Sequence, residues 1–264
     1  MSKIAALPMY NQPHLRAHND ELWRCIREKF QTIGFATEAM LDRGINTSTL
    51  WNSPNLGFAQ TCGLPYVSSL RGKVSLLGTP DYGIISGQPG WYHSLIIARQ
   101  SDSRATLAIF DGATFAYNDA NSQSGLYALM YELQAQIGSE SFFGKCLKSG
   151  SHVNSALAVI ESRADIAAID AVTWRYIQTA VPDVALLKVI GATAPNPGLP
   201  YITALQEHTE VLSNAVTKAI KTLPQASKQA LGLKGFWHAR PEDYDIIATR
   251  AKCSAAVITA HGIS

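Results

Sequence analysis

The chain has few cysteines, and those it has lie far apart. Four occur among 264 residues, at Cys25, Cys62, Cys146 and Cys253, and none forms a CxxC pair. Zinc sites and small disulfide frameworks place cysteines at close, regular spacings, so neither is indicated. We therefore expect no metal site and no other cofactor.

Strong charge of one sign is also missing, as is any long apolar run. The formal net charge of +2 gives no electrostatic case for nucleic-acid binding. No run of about 18 apolar residues occurs, so membrane insertion is not expected. The first residues, MSKIAALPMY, are too short and too polar for a signal peptide. The expected location is the periplasm if a signal peptide was removed, and the cytoplasm otherwise.

What is present fits a folded protein with a substantial core. Hydrophobic residues make up 47% of the chain and charged residues 16%, and the length allows one large domain or two ordinary ones. Strand-like and helix-like patterns alternate, which predicts an α/β fold with mainly parallel sheets and flanking helices. Strands are predicted at 4–10, 58–62, 74–77, 92–99, 113–117, 165–169 and 186–190. Helices are predicted at 21–32 (capped by Asn19 or Asp20), 126–137, 171–179, 209–221, 225–231 and 241–251, and another opens at 150–152.

The order of elements suggests that the chain crosses between two lobes at two points, so that one domain is inserted into the other. We expect a first lobe at 1–95, an inserted second lobe at 96–190, and a return to the first lobe at 191–264. This arrangement gives two lobes, a cleft and a two-strand hinge, which is typical of proteins that close over a ligand. A monomer is expected, because such a cleft must open and close.

The most informative segment is the run YNDANSQSG, from Tyr117 to Gly125. It follows a predicted strand and opens a predicted helix. Hydroxyls and free backbone N–H groups at the positive end of a helix suit an oxyanion such as phosphate. The alternative is that Ser122 or Ser124 simply caps the helix.

Two further strand-to-helix turns fall in the same region. In a parallel sheet the carboxyl ends of the strands share one edge, which is where α/β proteins bind ligands. Polar side chains of all three turns are therefore expected to converge, namely Ser122, Ser124, Ser151, His152 and Asp170.

Four runs together resemble a known family: GWYHSLIIAR, FDGATFAYNDANSQSG, SGSHVNSALAVIESRADIAAIDAVTW and LKVIGATAPNPGLPYIT. They extend from Gly90 to Thr203 and resemble the phosphate/phosphonate-binding (PhnD-like) proteins of ABC importers. That family has the two-lobed type II periplasmic-binding fold. The first lobe matches more loosely, through LPMY and AQTCGLPYV.

The resemblance also implies a set of ligand-binding residues. The family's D-P-x-S-T-S-G turn is matched at 119–125, with Gln123 in place of a threonine. The family also has a histidine at a helix start, which His152 matches. Its aromatic Y-x-S on the hinge strand is matched at 92–94, and its acidic residue after a D-x-A strand is matched by Asp170. The ligand-binding candidates are Tyr10, Cys62, Tyr92, His93, Asn121, Ser122, Gln123, Ser124, Ser151, His152 and Asp170.

Several of these candidates have a structural alternative. Tyr10 fits buried packing, Cys62 a structural thiol, and His93 a polar residue of the hinge strand. His152 fits a simple helix start, and Asp170 fits a helix N-cap, a role compatible with ligand binding.

The chemistry of the candidates bears on the ligand. Neutral donors at a helix start bind an oxyanion without Lys or Arg, and His152 is expected to add a charge-assisted donor near neutral pH. Asp170 would repel an anion unless the ligand carries a proton or a cation. A protonated phosphate, an aminophosphonate or a zwitterion meets that condition, and sulfate does not.

The resemblance implies a solute-binding protein that closes on a small phosphate, phosphonate or zwitterionic ligand and delivers it to an ABC permease. Fold alone does not determine function, so two alternatives stay open. One is a cytoplasmic ligand sensor. The other is an enzyme resembling the synthases of a thiamine precursor, with Cys62, His93 and His152 as candidate catalytic groups.

Overall fold

The computed structural model describes residues 3–138, 141–207 and 209–263. The chain forms two compact units, each assembled from two separate stretches of sequence. The first unit comprises Met1–Trp91 and Pro197–Asp245, and the second comprises Tyr92–Asn196 and Ile246–Ser264. Within the described ranges, no helix is both long and apolar enough to cross a membrane.

Strands and helices alternate through both units. The strands are β1 (Ile4–Ala6), β2 (Leu56–Gln60), β3 (Val74–Asp81), β4 (Trp91–Tyr92), β5 (Ser94–Arg99), β6 (Thr114–Tyr117), β7 (Lys145–Lys148), β8 (Ile166–Asp170), β9 (Leu187–Ala192), β10 (Asn196–Pro197), β11 (Tyr201–Ala204) and β12 (Gly235–Trp237). The α-helices are α1 (Arg16–Thr32), α2 (Thr47–Trp51), α3 (Gly63–Pro65), α4 (Ala128–Gln136), α5 (His152–Ile160), α6 (Ala171–Ala180), α7 (Thr209–Thr222), α8 (Gln225–Leu231) and α9 (Asp245–Ala260). Two π-helical turns are also present. Tyr66–Leu70 follows α3, and Gln123–Tyr127 leads into α4.

The first unit is built on a sheet with the strand order β1-β2-β11-β3-β12. β1 and β2 run parallel, whereas β11 is antiparallel to β2 and β3, and β12 is antiparallel to β3. Helix α1 presents Trp23 to this sheet, where the indole stacks on Phe58 of β2 at a ring separation of 5.5 Å. Both side chains are fully buried, so this stack lies in the core of the unit.

The second unit is built on a sheet with the order β7-β6-β8-β5-β9. β6 is parallel to β7 and β8, and β5 is antiparallel to β8 and β9. The predicted α/β class is therefore confirmed, but the pairing in both sheets is mixed rather than mainly parallel. A strand pattern shows which residues are buried and carries little information on the direction of neighbouring strands.

Both faces of the second sheet are covered. Along β8, Ile166 and Ala168 pack into one apolar cluster with residues of α4 and α9. Ala167 and Ile169, which point to the other face, pack into a second cluster with residues of α5 and α6. Successive side chains of a strand alternate between faces, so a strand buried on both sides is apolar throughout, as the run IAAI is.

The two units divide the chain differently from the expected lobes at 1–95, 96–190 and 191–264. The predicted helix at 241–251 runs on to Ala260, and residues beyond Asp245 belong to the second unit. The reason is packing: Val257, Ile258 and Ile263 join the same apolar cluster as α4. The ring of His261 adds polar contacts, because its Nε2 accepts the backbone N–H groups of Phe142 and Phe143 at 3.2 and 2.9 Å.

Two predictions near the N-terminus were wrong. β1 ends at Ala6 rather than at Tyr10, since Pro8 and a turn interrupt the strand. Helix α1 begins at Arg16, so Asn19 lies inside the helix and does not cap it. Instead, the Asn19 amide donates to the Tyr10 carbonyl at 2.9 Å and fixes the loop that follows the first strand.

Candidate functional site

Three strand-to-helix turns of the second unit lie at one edge of its sheet. Tyr117 at the end of β6 is paired with Lys148 at the end of β7, and Asp170 at the end of β8 is paired with Ser94 at the start of β5. Because β6, β7 and β8 are parallel, the segments that follow them leave the sheet side by side. The sequence-predicted turns therefore meet at this edge.

The turn after β6 is fixed by its own side chains. The Asp119 carboxylate accepts the Asn121 N–H at 2.9 Å. The buried Ser122 is the N-cap residue, and its Oγ accepts the Gly125 N–H at 3.0 Å. The π-helical turn Gln123–Tyr127 follows and leads directly into α4. Such π-helical turns within helices often occur at functional sites.

Ser124 connects this turn to the two neighbouring segments. Its hydroxyl lies 2.9 Å from Nε2 of His152, the first residue of α5. Its carbonyl accepts the hydroxyl of Ser94, at the start of β5, at 2.8 Å. Ser94 and Ser124 are both buried, so these bonds hold the segments together out of water.

The imidazole of His152 is neutral at neutral pH. Burial lowers its pKa from 6.5 to about 4, because desolvation disfavours the charged ring, and the Ala168 backbone carbonyl offsets this only in part. The expectation that His152 is a charge-assisted donor near neutral pH is therefore wrong, because the buried ring is uncharged there. A neutral ring supplies one N–H donor and one acceptor nitrogen.

We expect the protein to lose stability as pH falls from about 6.5 to about 4, and His152 to contribute to that loss. The unfolded histidine binds a proton in this window while the folded one does not, so lowering the pH favours unfolding. The contribution is on the order of 3 kcal/mol. Urea denaturation at pH 7 and pH 4.5 would measure it against His152→Gln, whose stability should fall less. Equal losses in the two proteins would contradict the assignment.

Ser151 and Asp170 each cap the helix that they precede. The Ser151 Oγ accepts the Asn154 N–H at 3.1 Å. Asp170, which is 1% exposed, accepts the N–H groups of Val172 and Thr173 through Oδ1 at 2.7 and 2.9 Å. Capping, the alternative stated for Asp170, is thus observed, and Ser151 caps its helix as well. Contact of either residue with a ligand stays a prediction.

The remaining candidates of the second unit differ in exposure. Tyr92 is buried, and His93 is half-buried, with a pKa that desolvation lowers. The carbonyl of His93 accepts the Ala171 N–H at 3.1 Å, which ties the start of β5 to the end of β8. Asn121 is exposed at the tip of the turn.

Tyr10 and Cys62 belong to the first unit. Each follows one of two neighbouring parallel strands, Tyr10 after β1 and Cys62 after β2. The Tyr10 ring is buried and meets Tyr82 edge-on at 5.3 Å, so the packing alternative describes much of its surface. Cys62 is half-buried and immediately precedes α3.

Sequence reasoning did not single out Asn118 or the space that Gly125 leaves beside it. A Cβ atom built on Gly125 would lie 1.8 Å from Asn118 Oδ1 and 3.1 Å from Cε1 of His152. The Asn118 amide therefore occupies the position that any side chain at 125 would fill. The signal in the sequence was the position of Asn118 directly after the buried strand β6, because α/β proteins bind ligands at the edge where strands end.

Three amide atoms of this turn have no hydrogen-bond partner among the described residues. They are Oδ1 of Asn118 and both Oε1 and Nε2 of Gln123, a side chain that is only 1% exposed. Within the described ranges, no group of three His, Cys, Asp or Glu side chains is placed to hold a metal ion. The turn thus offers hydroxyls, amides and a neutral imidazole, which bind anions through hydrogen bonds.

The architecture is that of the periplasmic binding proteins. A structure of XAC2383 from Xanthomonas citri bound to ATP superposes with a TM-score of 0.67 at 19% identity and covers 99% of each chain. PhnD1 from Prochlorococcus marinus in complex with methylphosphonate gives 0.73 at 16% identity and covers 95% of this chain and 97% of that chain. A binding protein component of an ABC phosphonate transporter from Pseudomonas aeruginosa gives 0.71 at 18%, covering 98% and 89%. At these identities the likeness establishes the fold.

The family follows from the sequence match. The model of the family described as "ABC transporter, phosphonate, periplasmic substrate-binding protein" matches residues 52–244, well over half of the chain. The protein belongs to this family of phosphonate-binding substrate-binding proteins. A comparison with curated protein sequences gave no significant match.

Proposed function

We propose that the protein is the solute-binding component of an ABC importer and that it holds a small phosphorus-containing oxyanion at the turn 118–125. The observation that carries the proposal is the composition of this turn. Ser122, Gln123 and Ser124 are all buried at a helix start, and the Gln123 amide has no partner among the described residues. Buried polar groups are nearly always paired, so an unpaired amide beside two hydroxyls indicates a ligand site.

The local chemistry supports an anion. The first turn of a helix leaves backbone N–H groups without intrahelical acceptors, and the helix dipole makes this end positive. A hydroxyl both accepts and donates, so Ser122 can accept the Gly125 N–H and still donate its own proton to a ligand. Ser124 gains the same capacity when Nε2 of His152 carries the ring proton and donates it to Oγ.

The ligands of similar structures support phosphorus as the central atom. The Xanthomonas citri protein was captured with ATP and the Prochlorococcus marinus protein with methylphosphonate. These two molecules differ in size and share a tetrahedral phosphorus that carries several oxygens. We infer that the turn 118–125 (the serine turn) binds this group, and that the rest of the ligand differs between relatives.

The family description supports the wider role. It implies binding of a small ligand, partnership with an ABC permease, and a periplasmic location. For this chain we propose the same location and partner, with a monomer as the active form. The proposed ligand remains an oxyanion or a zwitterion that contains one.

Ligand binding is expected to appear as a thermal shift with purified protein. The compounds are phosphate, methylphosphonate, 2-aminoethylphosphonate, ATP and glycine betaine. A ligand at about a hundred times its dissociation constant adds about 2.7 kcal/mol of stability and raises the melting temperature clearly. The double variant Ser122→Ala, Ser124→Ala should lose the shift, because it removes both hydroxyls from the turn.

A matched control separates lost binding from a lost helix cap. Asn46 caps α2 in the first unit by accepting the N–H groups of Ser48 and Thr49. Asn46→Ala should lower the melting temperature yet keep the full ligand-induced shift. A panel with no shift in the wild-type protein would remove the oxyanion assignment. Conversion of a bound compound, followed by phosphorus NMR, would instead favour an enzyme.

A further inference from the structure

The serine turn contains buried acceptor atoms without a hydrogen-bond donor in the described part of the chain. A fully ionised oxyanion cannot supply that donor, because it carries no proton. Gln123 is 1% exposed, and neither end of its amide is hydrogen-bonded within the described residues. Because both ends lack a partner, this holds whichever end is the oxygen. Oδ1 of Asn118 is also buried without a partner. Among these residues, the two amide oxygens therefore lack a hydrogen-bond donor, and the amide nitrogen of Gln123 lacks an acceptor.

The Asn118 amide lies beside the Ser124–His152 pair. The space left by the missing Cβ of Gly125 holds the Asn118 amide, close to the His152 ring. That ring is hydrogen-bonded to Ser124, the residue that follows Gln123. The unpaired Asn118 oxygen and the Ser124 hydroxyl therefore both lie close to the same imidazole, and Gln123 adjoins Ser124 in the chain.

Asp170 was expected to be the acceptor that meets a proton on the ligand. Its Oδ1 is engaged by two backbone N–H groups, those of Val172 and Thr173. The acceptors left unpaired at the turn are instead the amide oxygens of Asn118 and Gln123. An amide oxygen can accept a hydrogen bond from a protonated ligand oxygen without adding a second negative charge to the site.

We propose that Gln123 and Asn118 are specificity-determining residues that select an oxyanion bearing a hydrogen-bond donor, namely a monoprotonated phosphonate or phosphate, over an acceptor-only anion of the same shape. This inference rests on the proposed function. A P–O–H group donates to an amide oxygen while the ionised oxygens accept from the Gln123 Nε2 and the serine hydroxyls. A sulfonate has no proton to donate, so it leaves the buried amide oxygens unpaired.

Methylphosphonate and methanesulfonate form a matched pair of ligands for the test. They share shape and size, and at about pH 6 a substantial share of the phosphonate carries an O–H, as phosphate-type groups do near their second ionisation. Isothermal titration calorimetry on the wild-type protein should show methylphosphonate binding at least about 30-fold more tightly. This factor corresponds to leaving one or two buried acceptors unpaired.

Variants at 123 test which atoms discriminate. Gln123→Leu keeps most of the volume and removes both polar ends, so the preference should fall about tenfold through weaker phosphonate binding and a smaller penalty for sulfonate. Gln123→Glu retains oxygen acceptors and should keep the preference, although both affinities fall by charge repulsion. Thermal melting of each variant without ligand shows whether it is folded.

The outcomes separate this inference from the proposed function. If both anions bind the wild-type protein equally, the inference is overturned and the oxyanion site stands. If neither anion nor phosphate binds, the proposed function fails together with the inference. An undiminished preference in folded Gln123→Leu would also overturn the inference, since water or another group would then meet the proton.

Discussion

Replacing Gly125 with alanine is expected to abolish ligand binding while leaving the protein folded. The new Cβ would lie 1.8 Å from Oδ1 of Asn118, a distance that no non-bonded pair of heavy atoms tolerates, so the Asn118 amide must move away. It would also press on the His152 ring at 3.1 Å, which the Ser124 hydroxyl contacts. A binding constellation displaced by about 1 Å loses most of its function. We expect the dissociation constant to rise at least about 100-fold, or about 2.7 kcal/mol.

The stability of this variant should change little. Gly125 lies in the helical turn Gln123–Tyr127, where alanine is favoured over glycine by roughly 0.5–1 kcal/mol, which offsets part of the local repacking. Gly191→Ala in β9 is a matched control, because a Cβ there meets Ile96 Cδ1 at an ordinary 3.7 Å. Titration calorimetry with methylphosphonate and a thermal melt on both variants make the comparison. Unchanged affinity in Gly125→Ala would show that the Asn118 amide plays no part in the site.

The sequence could predict which turns lie together, because strand order and local pattern determine their positions. The run YNDANSQSG lies between a buried strand and a helix, and parallel neighbours bring the turns of β6, β7 and β8 to one edge. Spacing along the chain was enough to place Ser124 near His152, which the structure finds at 2.9 Å. Such predictions need only the rule that strand ends share an edge.

The electrostatics of the site could not be predicted in the same way. His152 follows a polar turn, so its sequence neighbours gave no sign that burial would lower its pKa to about 4. Burial depends on residues from other elements that pack over the ring. The unpaired amides of Asn118 and Gln123 likewise become evident only when every possible partner has a position.

The assignment of the C-terminal residues depended on long-range packing as well. The predicted helix at 241–251 fell in the segment 191–264, which was expected to return to the first lobe. In the structure, residues Pro241–Tyr244 form a short 3-10 turn after β12. Helix α9 begins at Asp245 and runs to Ala260, within the second unit. Sequence order alone gives no measure of which core an amphipathic helix completes.

Replacing Val257 with aspartate should therefore strongly destabilise the second unit. Val257 is 0% exposed and packs in the apolar cluster that contains residues of α4 and of the sheet. An aspartate there must either bury an unpaired charge or pull α9 away from the sheet, and we expect a loss of about 3–5 kcal/mol. Urea denaturation would measure the loss. Hydrogen exchange should then show lower protection in β5, β6 and β8.

Val211→Asp provides the matched control, because Val211 lies on α7 of the first unit with 48% of its surface exposed. The same substitution there should change stability by no more than about 0.5 kcal/mol. If Val257→Asp instead reduced protection mainly in β2 and β3, α9 would belong energetically to the first unit. If Val257→Asp loses the ligand-induced thermal shift and Val211→Asp keeps it, ligand binding at the serine turn depends on the core that α9 completes. The turn follows β6 and leads into α4, and both elements contribute residues to that same cluster.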